Sequence, residues 1–138
     1  MEKKKIETPL VAIPPKGISQ AVRFGNILFV SGQVGENLDG SVPDGIEAQT
    51  ELAITNAQQI IEAAGGTLDD VLMCRCFLQT MEDFQGMNRA YFKFFGDKED
   101  GPARYTVIAP PLSEELLFEV AMIVGLEPED GGPAAARM

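Results

Sequence analysis

At 138 residues, with 45% hydrophobic and 23% charged side chains, the chain has ordinary globular proportions and enough length for one domain to bury a full core without disulfide or metal staples. A net charge of -10 argues against a nucleic-acid partner, whose phosphates bind through counterions released to a cationic surface, and the absence of histidine removes a histidine base and a histidine metal ligand alike. No apolar run is long enough to span a membrane and none follows residues 1–5 as in a secretion signal, so a cytoplasmic protein without membrane association is expected.

Residues 1–20 begin basic, hold a short extended piece around Ile6, and then carry Pro9, Pro14, Pro15 and Gly17, which forbid a helix and mark a lead-in loop. Residues 21–24 and 27–31 are β-prone runs around Gly25-Asn26, a dipeptide that tolerates the positive φ of a tight hairpin. The second run ends in Ser31-Gly32-Gln33, where glycine lets another group approach the backbone. After a turn-rich loop over 35–45, residues 46–64 take a helical period. Ile46, Leu52, Ala53, Ala57, Ile60, Ile61 and Ala64 share one face, and Gly65-Gly66 supplies the stop. Residues 71–78 form a third strand, with Cys74 and Cys76 on one side as core thiols and Arg75 as its exposed or edge-facing exception. A second helix over 82–95 carries Phe84, Met87, Tyr91 and Phe94 or Phe95 as a core stripe. Two further strands, around 103–108 and 116–124, flank a Pro110-Pro111 loop and are expected to pair as antiparallel neighbours. Residues 1–126 read as a single domain and 127–138 as a flexible tail.

The order β-β-α-β-α-β-β argues an α+β fold, one sheet with two helices on one face. The last strand is apolar on both faces, so the uncovered side calls for a cover, which association of several copies would supply. Two charges stand in apolar strands, where a charge costs most: Arg104, and Glu119 within an otherwise uncharged run. An arginine fixed on a strand offers a planar fork for a carboxylate, and a glutamate poised near neutrality can hold or deprotonate water. A salt bridge between the two is the structural alternative. Burial would raise the pKa of Glu119 and a close arginine would lower it. Ser31 and Asn88 are the remaining polar candidates, each also readable as a local hydrogen-bonder. No spacing suggests a metal loop, no glycine-rich phosphate motif occurs, and a serine nucleophile would lack its base.

Gly25-Asn26 leading to Phe29-Val30-Ser31-Gly32-Gln33, the Gln49 helix ending in Glu62-Ala63-Ala64-Gly65, Asn88 with Tyr91 and Phe94-Phe95, Pro102-Ala103-Arg104, and Glu119 together resemble the RidA/YjgF reactive-intermediate deaminases, also known as endoribonuclease L-PSP. The resemblance runs from about residue 5 to 126. It implies a chorismate-mutase-like fold, a homotrimer with ligand clefts between subunits, and no metal or organic cofactor. It further implies that Arg104 binds a small carboxylate substrate, with backbone groups of Gly32 and Thr106 nearby. Glu119 would orient the water that attacks an imine carbon, and Ser31 and Asn88 match pocket positions. The reaction implied is hydrolysis of a 2-imino acid or its enamine to a 2-oxo acid and ammonia. Ile18 stands where the imine-hydrolysing members carry tyrosine, and Thr106 where many relatives carry cysteine. Loss of the tyrosine hydroxyl suits a larger or less polar acid, such as an aminomuconate-like enamine, beside the usual 2-aminoacrylate type. A carboxylate-binding trimer without turnover is the alternative reading, and ribonuclease activity fits the charge and the missing histidine less well.

Overall fold

The computed structural model describes residues 2–129. Strands β2 (Ala21–Phe24) and β3 (Ile27–Val34) pair antiparallel across Gly25-Asn26, and Gly25 takes a φ of 60°, open to glycine without steric cost. β3 runs past Ser31 through Gly32 to Val34, and β1 (Lys3–Ile6) adds the extended piece at the sheet edge. α1 (Ile46–Ala63), β4 (Val71–Leu78), α2 (Phe84–Phe95), β5 (Ala103–Ile108) and β6 (Phe118–Gly125) complete the described chain. The sheet order is β1-β2-β3-β6-β4-β5.

β5 and β6 are not neighbours. β5 pairs with β4 in parallel, and β6 lies antiparallel between β3 and β4. The expectation of an antiparallel β5–β6 pair assumed that the proline loop between them was a tight connection. It is instead long enough to carry the chain across the end of β4, two strand spacings or about 9.6 Å. β4, which buries Val71, Cys74, Cys76 and Leu78 on one face and carries Met73 and Phe77 beside Arg75 on the other, takes an interior place, and β5 is left at the edge.

The helix-side face of the sheet holds the core. Leu28, Val30, Cys74, Cys76, Leu78, Phe118, Val120, Met122 and Val124 are buried against α1 and α2. Each wholly buried aliphatic side chain contributes roughly 1.5–3 kcal/mol by removal from water. On α1 the buried stripe includes Ile54 with Ala53, Ala57, Ile60 and Ile61. Leu52, expected on that face, lies instead with Leu10 and Leu38 beside the 37–41 loop. The opposite face carries Phe29, Met73, Phe77, Tyr105, Val107 and Ile123, with no helix of the described residues over it. Arg75 stands in the middle of that face on an interior strand, half-buried, with its Nε buried and unpaired, so it is no edge residue.

The lead-in loop is ordered around one side chain. The Gln20 amide accepts from the Thr8 N–H (2.8 Å) and donates to the carbonyls of Thr8, Val11 and Ala12 at 3.0–3.1 Å. The Ser31 N–H then donates to the Gln20 carbonyl (2.9 Å), which fixes the loop carrying Ile18 against β3. Of the expected tail, residues 130–138 lie outside the described residues, whereas Glu127 accepts from Arg23 through its carbonyl (2.8 Å) and Glu129 pairs with Lys4 (3.1 Å). No helix among the described residues is long and apolar enough to cross a membrane.

Candidate active site

Arg104 projects from β5 toward the helices, in register with buried Cys74. Its Nη1 donates to Asn88 Oδ1 at 2.8 Å, and its guanidinium carbon lies 4.7 Å from the Tyr91 ring centroid and 5.8 Å from that of Phe92. Tyr91 is itself braced, edge-on to Phe92 (5.3 Å) and tilted against Phe95 (4.8 Å). Asn88, Tyr91 and Phe92 sit at i, i+3 and i+4 of one helix face, the spacing at which helical side chains meet. Cation–π contact holds the plane of the guanidinium and leaves its remaining edge free for a forked acceptor. No carboxylate among the described residues pairs with Arg104. Thr106, one step along the same strand face, has a buried hydroxyl without a hydrogen-bond partner. A positioned cation with an edge left free is chemically suited to a small organic anion. Beneath it lie the two thiols, free and buried, their pKa values pushed up by burial to about 11 for Cys74 and about 12 for Cys76. Burial raises the Tyr91 hydroxyl as well.

Glu119 belongs to the other face. It is in register with Phe77 on β4 and Val34 on β3, away from the helices. Its pKa is raised, and desolvation by burial is the cause. The opposing effect anticipated from Arg104 is missing, because the two side chains leave opposite faces of the sheet with β4 between them. The expected adjacency of Arg104 and Glu119 within one chain, as site or as salt bridge, is therefore not formed. The charge of Glu119 instead rests on glycine. β3 bulges between Val30 and Gln33, and any side chain at Gly32 would strike the Glu119 carboxylate, its Cβ lying 2.9 Å from the carboxyl carbon. On its far side Glu119 shares a cavity of 240 Å³ with Phe77, Pro110, Pro111 and Leu112.

Ser31 and Ile18 stay with the Glu119 half. Ser31 Oγ donates to the Ser19 carbonyl at 2.6 Å, so its hydroxyl hydrogen secures the lead-in loop while the oxygen remains an acceptor. Ile18 is 56% exposed at the mouth of a second cavity, of 390 Å³, which Ser31 and Gly32 also line. The sequence-based candidates thus fall into two clusters: Arg104, Asn88 and Thr106 on one side, Glu119, Gly32, Ser31 and Ile18 on the other. Sequence reasoning missed Phe92, which lies outside the core stripe; its i+4 relation to Asn88 was the available signal. It also left Gln49 without a role. That buried amide donates to the carbonyls of Pro43 (3.1 Å) and Glu115 (3.0 Å) and accepts from the Leu117 N–H (2.8 Å), fixing the strand entry two residues before Glu119. Among the described residues no group of acidic, cysteine or histidine side chains is arranged to hold a metal ion.

Comparison with known proteins adds the following. The family model for endoribonuclease L-PSP matches residues 11–126. A RutC family protein of Saccharolobus solfataricus is 42% identical over 107 residues, covering 76% of this chain and 83% of its own. A 2-iminobutanoate/2-iminopropanoate deaminase of Dermatophagoides farinae is 34% identical over 127 residues, covering 91% and 98%. The crystal structure of RidA from an Antarctic Psychrobacter superposes with a TM-score of 0.82 at 31% identity, over 89% of this chain and 99% of that one.

Proposed function

This chain belongs to the endoribonuclease L-PSP family, the RidA/YjgF group, and from that premise we propose that it hydrolyses small 2-imino acids or their enamine tautomers to 2-oxo acids and ammonia. The candidate substrates are of the 2-aminoacrylate type or a larger, aminomuconate-like acid. The observation that carries the reading is that neither charge is consumed: Arg104 has an aromatic brace and a free edge, and Glu119 stands over bare backbone in no ion pair among the described residues.

The substrate carboxylate is held by the free edge of Arg104, with backbone groups of Gly32 and Thr106 nearby. Glu119 orients a water against the imine carbon. As the water oxygen bonds to that carbon, the C=N π pair moves to nitrogen and Glu119 takes the water proton. Glu119 returns that proton to nitrogen, giving the neutral carbinolamine, and then relays the carbinolamine hydroxyl proton to nitrogen as the C–N bond breaks, so that the carbonyl forms and ammonia leaves. Such imines hydrolyse unaided, so positioning and modest polarisation of a few kcal/mol suffice. Because the two halves face opposite ways in one chain, the cleft is built from Arg104 of one copy and Glu119 of the next, in a homotrimer closed over the uncovered apolar face.

The test is release of ammonia and 2-oxo acid from freshly generated imines. Arg104→Ala should lose most of the rate, and equal rates for both proteins would end the proposal. Mixing Arg104→Ala with Glu119→Gln chains should restore about a quarter of the clefts to wild-type composition if the halves come from different copies. No recovery in mixed assemblies would place both halves in one subunit. Tight carboxylate binding without turnover would keep the anchor and withdraw the chemistry.

A further inference from the structure

The 390 Å³ cavity between the lead-in loop, the bulge of β3 and α1 falls within the range of roughly 300–1,000 Å³ typical of small-molecule sites, and it opens at Ile18, Ser31 and Gly32. Its apolar walls are Val11, Ile13, Pro14, Ile18 and Val34. The polar groups that share the lining are largely engaged already. The Gln20 amide is used on the lead-in loop, Ser31 donates to Ser19, and the Asn56 amide nitrogen donates to the carbonyls of Val34 and Glu36 at 3.1 Å. The one charged side chain in the lining is acidic, Glu36, and no basic residue faces the cavity. A second carboxylate entering there would meet repulsion and no anchor, whereas an alkyl group would meet alkyl walls.

We infer that this cavity receives the side chain of the substrate, and that the protein selects monocarboxylic 2-imino acids with extended or branched aliphatic side chains over both the alanine-derived imine and dicarboxylic ones. The inference rests on the site proposed above, with Arg104 holding the first carboxylate and the reacting carbon beside Gly32 and Glu119. It departs from both substrate types named there, since the 2-aminoacrylate type is the tautomer of the short alanine-derived imine and the aminomuconate-like one is a dicarboxylate. Ile18 is then the specificity-determining residue: a tyrosine in its place would narrow the mouth and add a polar group, favouring short side chains.

The experiment measures kcat/KM for imines generated from alanine, 2-aminobutyrate, leucine, methionine and glutamate, and in parallel the competitive binding of the corresponding stable 2-oxo acids. The expected result is a gain of roughly fourfold per added methylene up to the leucine-derived imine, with the glutamate-derived one poorer than alanine's. Ile18→Tyr and, separately, Ile13→Ser should cut the leucine-to-alanine ratio by about tenfold or more. A flat or falling series with the alanine imine well turned over would overturn this inference and leave the deaminase reading standing. Failure to turn over any imine would overturn the deaminase reading itself; the 2-oxo acid series then decides the cavity's preference, and tightest binding of the dicarboxylate would overturn it.

Discussion

The two charges of the proposed site are held in opposite ways. Arg104 is gripped by Asn88, Tyr91 and Phe92 on an edge strand over α2, so the sequence has spent a helix face on fixing one side chain. Glu119 is gripped by nothing polar; space is made for it by a glycine and a bulge, and its position comes from Gln49 pinning the chain two residues upstream. An anchor for an anion works best when its geometry is set in advance, since ordering it on binding would cost affinity. A base needs free lone pairs and a pKa lifted toward the working pH, which burial without a cation supplies.

That contrast is most severely strained by removing the base while keeping its shape. Glu119→Gln should lower kcat by roughly 100- to 10,000-fold with little change in carboxylate affinity. It should also remove the acid limb of the kcat/KM profile, which in the wild type lies above the ordinary glutamate range. A variant that loses binding and keeps kcat would reverse the assigned roles. Loosening the anchor is the smaller perturbation. Asn88→Ala removes a hydrogen bond to a charged group and should raise KM roughly tenfold while sparing kcat, measured by initial rates over substrate concentration. An equal fall in kcat would mean that Arg104 acts on the reacting centre and not on the carboxylate.

The smallest effect concerns stability. A carboxyl whose folded pKa is raised binds protons more readily folded than unfolded, so its burial destabilises the protein increasingly as pH rises from the unfolded pKa through the folded one. Glu119→Gln should therefore melt slightly higher than wild type at neutral pH, with the gain vanishing on acidification. A lower melting temperature for the variant at neutral pH would show that the carboxylate is stabilised by contacts of its own.

Much of the fold could be read from local pattern. The Gly25-Asn26 hairpin, the limits of β4, both helices except that α2 starts at Phe84 after a short 3-10 turn over Met81–Asp83, and the single-sided burial of Cys74 and Cys76 follow from alternation, helical period and turn chemistry, all properties of neighbours in the chain. Strand order is different in kind. Nothing in residues 103–125 says that β4 will come between β5 and β6, because the choice depends on which strand best tolerates burial on both faces, a competition across the whole sheet. Both charges were legible as exceptions in apolar strands, yet the face each one takes depended on that order. Arg75 shows the same limit: a charge in a strand reads as an edge residue until the partners on both sides are known.

The sulfurs below the anchor carry one more consequence. Imines of 2-oxo acids, in equilibrium with their enamines, are electrophiles at carbon, and a thiolate within reach would trap them as adducts. With their pKa values near 11 and 12, Cys74 and Cys76 are ionised to about one part in ten thousand or less at pH 7, and both are sealed under the sheet. Packing that serves the core thereby keeps the protein from being poisoned by the compounds it would clear.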